Sequence, residues 1–216
     1  MTQRGNRGEQ VFFGPDDYEL YRNLLAQMCR RESVGVWAYC LMPNHVHLIL
    51  VPERRQALGR AVGETHRRYS SSINARLAVT GHLFRSRFSS VAMDDEHLMA
   101  AARHVTLNPV RAGLVERAED WPWSSAAAHV GGCDDALVAA APLLERCRGS
   151  FIAWIQTPGC PMLISALRAA ETIGRPLGSS GFLDRLAAMT GRDPRPGARG
   201  PKPKSPPTIG RPSLWD

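Results

Sequence analysis

"VGVWAYCLMPNHVHLILV", residues 34–51, decides the fold. β-branched and aromatic residues run along both halves, and Met42-Pro43-Asn44 interrupts them. Proline withholds a backbone donor and asparagine tolerates turn geometry, so the stretch reads as two antiparallel strands joined by a tight turn. On the second strand alternate residues share a face: His45, His47 and Ile49 point one way, Val46, Leu48 and Leu50 the other. Two imidazoles thus stand where the pattern asks for valine or leucine. Their Cα atoms lie about 6.5 Å apart, and side chains leaning together can reach one cation at about 2.0 to 2.2 Å. The spacing permits a metal site, and it equally fits two satisfied polar residues on a half-exposed sheet face.

Outward from this hairpin the chain alternates helix and strand. Ahead of it, "PDDYELYRNLLAQMCRRE" has Pro15 and two aspartates in the first turn, two arginines in the last, and Tyr18, Tyr21, Leu25 and Met28 at helical spacing. Behind it, "ALGRAVGETHRRYSSSINARLAV" puts Leu58, Val62, Thr65, Tyr69 and Ile73 on one stripe and turns Arg60, Glu64, Arg67 and Ser71 away. "GHLFRSRFSSVAM" alternates Phe84, Ser86 and Phe88 against Leu83, Arg85 and Arg87, the pattern of a strand with a basic outer face. "DDEHLMAAARHVTLNP" opens on an acidic cap and ends at Asn108-Pro109, predicting a helix over about 95–107. The order β-α-β-β-α-β-α predicts an α+β fold, a ferredoxin-like antiparallel sheet with flanking helices.

Three regions are expected: residues 1–130 as the main domain, 131–191 as an alanine-rich helical extension, and 192–216 as a disordered tail. The tail is rich in Pro and Gly with six basic and two acidic residues, a composition unable to bury enough apolar surface to order itself. The formal net charge of +7 over 216 residues suits a polyanionic partner, nucleic acid first. Five cysteines with no Cys-x-x-Cys pair make neither a disulfide framework nor a zinc knuckle. No uncharged apolar run approaches a membrane span. A cytoplasmic, nucleoid-associated protein is expected, with no membrane partner.

Four motifs, "YCLMPNHVHLILVP", "GHLFRSRFSS", "HVTLNPVRAGLV" and "DWPWSS", occur in an order and spacing that resembles the REP-associated tyrosine transposases, a bacterial branch of the HUH single-strand transposases. The resemblance covers about residues 2–130 closely. It implies a histidine pair holding Mg²⁺ or Mn²⁺ and a helix-borne tyrosine that attacks a phosphodiester of single-stranded DNA near an imperfect, palindromic hairpin. It implies His45 and His47 as metal ligands, with the Asn108 amide completing the site; capping the helix before Pro109 is the other role open to Asn108. Related chains carry a longer lead-in before "TQRGNR", so either the start lies upstream of Met1 or the edge strand is short.

At the tyrosine's place this sequence has His104. Three roles are open to it: a nucleophile forming a phosphoramidate, a general base activating water, or a remnant of lost catalysis. A third imidazole could also make a three-histidine site favouring Zn²⁺. Among the other tyrosines Tyr69, in "HRRYSSS", is the substitute nucleophile to consider, although it sits on the apolar stripe. Arg60, Arg67, Arg68, Arg76, Arg85, Arg87 and Arg111 are the expected phosphate contacts. The function predicted is that of a monomeric or homodimeric protein that binds hairpin-bearing single-stranded DNA and nicks it with a divalent metal. The alternative is a domesticated DNA-binding protein that no longer cuts.

Overall fold

The hairpin forms as predicted. In a computed structural model that describes residues 1–147 and 149–196, β2 (Val34–Met42) and β3 (His45–Pro52) pair antiparallel across the Pro43-Asn44 turn. A short strand, β1 (Thr2–Arg4), pairs with the other edge of β3, giving the sheet order β1-β3-β2. The histidines therefore lie on the central strand. Directly paired residues share a face, so the register sets Thr2 and Cys40 beside His47, and Arg4 and Met42 beside His45.

Alternation along β3 splits the core in two. Val46 and Leu48 face α1 (Pro15–Glu32) and α2 (Ala57–Leu77), where Tyr18, Tyr21, Leu25, Met28, Tyr69 and Ile73 are buried. Ile49, with Ala38, Cys40 and Met42 of β2, faces Leu98, Ala101, Ala102 and Val105 of α3 (Asp95–Thr106). The fold is α+β, with helices on both faces of an antiparallel sheet. The ends of α1 show why it stops where it does: Pro15 occupies its first turn, and Ser33 closes it in the left-handed region at φ 56°.

The strand expected in "GHLFRSRFSSVAM" is a correction. Residues 84 and 89 make isolated antiparallel bridges to Gly5 and Thr2, and no regular strand forms between them. Five residue steps on this side face only three on β1, so two surplus residues must bulge. The Gln3 side chain occupies part of the gap, its amide donating to the Ser86 carbonyl at 2.6 Å. Arg85, Ser86 and Arg87 are thrown outward into solvent.

The "DWPWSS" motif covers the free edge of β2. The Leu41 amide donates to the Trp123 carbonyl at 2.9 Å, the Tyr39 amide to Ser125 Oγ at 3.0 Å, and the Trp121 indole to the Leu41 carbonyl at 3.0 Å. Before it, α4 (Asn108–Arg111) follows α3; beyond it come α5 (Ala126–Gly131), α6 (Ala141–Leu144), α7 (Phe151–Gln156), α8 (Pro161–Ile173) and α9 (Ser180–Thr190). Leu143 and Leu167 of this extension join the α3 side of the core. From residue 197 the expected tail lies outside the described residues. No helix among the described residues is long and apolar enough to cross a membrane.

Candidate metal and DNA site

The paired imidazoles open together on the α3 face. Ring centres of His45 and His47 are 4.8 Å apart, and the His104 ring, from α3, is 5.7 Å from that of His47. Each ligand-candidate ring is held by its Nδ1 edge. The Asn44 Nδ2 donates to the Gly8 carbonyl at 3.2 Å, which orients the amide so that its Oδ1 accepts from His45 Nδ1 at 2.6 Å. His45 Nδ1 therefore carries the proton, and Nε2 keeps its lone pair. Thr2 Oγ1 lies 3.1 Å from His47 Nδ1, leaving His47 Nε2 for another partner. Asn108 Nδ2 is 3.3 Å from His45 Nε2, so the amide at the start of α4 reaches the pair.

All three rings are neutral at pH 7. Burial lowers the His45 pKa to about 4, helped by Arg4 and His104. Burial likewise holds His47, 4% exposed, well below its ordinary value, with His45 and His104 adding to the effect. Burial, then Arg111, Arg168 and Arg4, bring His104 to about 4. Neutral imidazoles whose Nδ1 edges are tied to oxygen atoms are what a cation needs from histidine. Two imidazoles and one carboxamide fit a divalent ion, and because none carries charge, the ion's positive charge would be left for an anionic substrate.

The three-histidine option is not built. Among the described residues no three His, Cys, Asp or Glu side chains converge closely enough to hold an ion. His104 Nδ1 is instead buried with no hydrogen-bond partner, and its carbonyl accepts from the Arg111 guanidinium.

Tyr69 does not face the site. It is fully buried across the sheet, in the α1/α2 layer, where its hydroxyl donates to the Val11 carbonyl at 2.6 Å and burial raises its pKa far above the ordinary value. The other phenols are also committed. Tyr21 bonds His66, Tyr39 donates to Asp135, and Tyr18 is stacked between Phe12 and Trp123.

The expected arginines divide. Arg76 belongs to the fold: its guanidinium grips the buried Asp17 carboxylate with two hydrogen bonds, tying α2 to α1. On α2, Arg67 and Arg68 share Glu64, and Arg60 donates to Oε1 of Gln56, the residue just before the helix. Arg85 and Arg87 project from the bulge. Arg111 sits beside His104. Sequence reasoning missed Thr2, Arg4, Asn44 and Arg168. Asn44 was visible in "PNHVH" but readable only as a turn residue; the others reach the site through sheet register and a distant helix.

The site is thus built on an antiparallel sheet carrying paired histidines, faced by the helix that holds His104 and leads to Asn108. Residues 4–106, just under half of the chain, match the family model described as "Transposase IS200 like". A curated REP-associated tyrosine transposase of Haemophilus influenzae is 24% identical over 116 residues, 49% of this chain, and the match spans 66% of that relative, just under two thirds. The solved structure of a REP-associated tyrosine transposase bound to a REP hairpin superposes with a TM-score of 0.52 at 20% identity, over 64% of this chain and 82% of the other. That likeness shows a common fold.

Proposed function

We propose that this protein binds single-stranded DNA bearing a palindromic hairpin and nicks it with water, not a tyrosine, as the attacking group. The observation that carries the reading is the pair of neutral imidazoles opening beside Asn108 and across from His104. The hairpin in the related structure supports the choice of DNA.

His45, His47 and the Asn108 amide would hold Mg²⁺ or Mn²⁺. When bound, the ion supplies positive charge against the scissile phosphate. His104, neutral at pH 7, would take a proton from water as the water oxygen bonds to phosphorus. The phosphorus–oxygen bond to one sugar breaks, and the departing alkoxide takes a proton from solvent. Arg4, Arg111 and Arg168, whose charges all act on His104, favour an anion in this place.

A second reading, hairpin binding without cleavage, is favoured by one observation: all four tyrosines are committed to the core or to other partners. An end-labelled hairpin with a single-stranded extension, incubated with Mn²⁺, separates the two. Nicks with free ends, no covalent adduct, and loss of nicking in His45→Ala and His47→Ala are expected. Tight binding with no nick in Mg²⁺ or Mn²⁺ overturns the nuclease and leaves the binding protein. A covalent adduct appearing only in His104→Tyr would show that the scaffold still positions a nucleophile.

A further inference from the structure

The bulge in "GHLFRSRFSS" separates two grooves. One, about 830 Å³, runs along β1 and residues 85–90 to the end of α8, and Arg4, Arg85 and Arg87 line it. It continues toward the histidines: Thr2, Ser89 and Ser90 line both this groove and the cavity that holds His47 and His104. The other, about 630 Å³, lies between α2 and residues 81–88; Arg87, Ser70 and Ser71 offer it donors, and the Arg67 guanidinium on its wall is paired with Glu64. Ser86, Arg87 and Phe88 line both.

Two features point to a nucleic acid on each side. No carboxylate lines either groove among the described residues, although the chain has 20 acidic residues. Phe88, on the ridge between them, is only half-buried, and its ring stacks on no other aromatic ring among the described residues. A lone aromatic between basic walls is how proteins hold an unstacked base while contacting the backbone on either side. The groove against α2 also has room for a close approach. A Cβ at Gly59 or Gly63 would meet nothing within 4 Å, so internal packing does not demand glycine at either position.

We propose that residues 84–90 form a strand-parting ridge at the foot of the hairpin. The strand to be cut lies in the groove on the histidine side, the stem's backbone lies in the groove against α2, and the Phe88 ring stacks on the base at the junction. This rests on the hairpin-binding reading above and adds which part of the DNA each face receives.

The test measures affinity for three labelled oligonucleotides, namely a hairpin with a single-stranded extension, the extension alone and a blunt hairpin, with 2-aminopurine at the junction of the first. Wild type is expected to bind the first best and to quench its 2-aminopurine. Phe88→Ala should lose about tenfold on that substrate and the quenching with it, while Phe88→Trp keeps both. Gly63→Leu improves helix propensity and has open space for its side chain. It should therefore keep its melting temperature, weaken binding of both hairpins and leave the extension alone unaffected. Variants that weaken all three oligonucleotides equally, or none, overturn the ridge while hairpin binding stands. A wild type that binds none of them overturns the hairpin-binding reading itself.

Discussion

At the scale of the residue, the account turns on which nitrogen of His45 carries a proton. The Asn44 amide, oriented by the Gly8 carbonyl, settles that through a 2.6 Å bond and leaves the lone pair on Nε2, the nitrogen that would bind an ion under the proposed function. Asn44→Ala should therefore weaken Mn²⁺ binding by roughly ten- to a hundredfold, the usual cost of losing a partner of a metal-bound histidine, with the fold retained; calorimetric titration measures it. An unchanged affinity would show that the turn residue does not set the tautomer. His66 makes a separate prediction about pH. Burial lowers its pKa to about 4, and its Nε2 bonds the Tyr21 hydroxyl. The unfolded chain binds that proton more readily, so the contribution is full above pH 6.5 and is lost progressively as pH falls toward 4. Between pH 7 and 5 His66 should account for on the order of 2 kcal/mol of lost stability. Urea unfolding of His66→Gln should show a correspondingly flatter pH dependence, and an equally steep profile would remove His66 from the account.

At the scale of the element, the helices and the hairpin were legible because each repeats a pattern the chain states locally. Tyr18, Tyr21, Leu25 and Met28 recur at helical spacing, and all are buried in α1. The strand predicted in "GHLFRSRFSS" was misread because pairing depends on the partner, and nothing in that stretch reveals that β1 ends after three residues. The same limit hid Arg76: its helical face was evident, but the buried carboxylate it meets lies 59 residues away in sequence. Burial raises the pKa of Asp17, yet the Arg76 guanidinium and the Phe13 and Gly14 amides outweigh it and keep the carboxyl below its usual value. Its stabilising effect is present above pH 4 and is lost as the carboxyl protonates below that. Asp17→Ala, which orphans the Phe13 amide, should cost about 2 kcal/mol in a denaturant titration while leaving hairpin affinity unchanged. A large loss of DNA binding with unchanged stability would return Arg76 and its partner to the interface.

At the scale of the whole molecule, the extension beyond residue 131 supports the helix that carries His104. Asp94, the cap of α3, accepts from the His97 and Ser179 amides, and residues 93 and 177 bridge in parallel. The Arg103 guanidinium lies 4.6 Å over the Trp154 ring and donates to its carbonyl at 2.8 Å. Composition announced helices here but could not say what they pack against. Trp154→Ala should cost about 2 kcal/mol through lost apolar area and the cation–π contact, and should expose the extension to limited proteolysis before the sheet domain. Cleavage of both regions at the same rate would deny the extension a separable docking.

The central claim is that His45 and His47 bind one divalent ion between them, and electron paramagnetic resonance of the Mn²⁺-loaded protein tests it most directly. Hyperfine coupling to two imidazole nitrogens is expected, falling to one in His45→Ala or His47→Ala and to none in the double variant. A spectrum of hydrated Mn²⁺ alone, unchanged by either substitution, would contradict it.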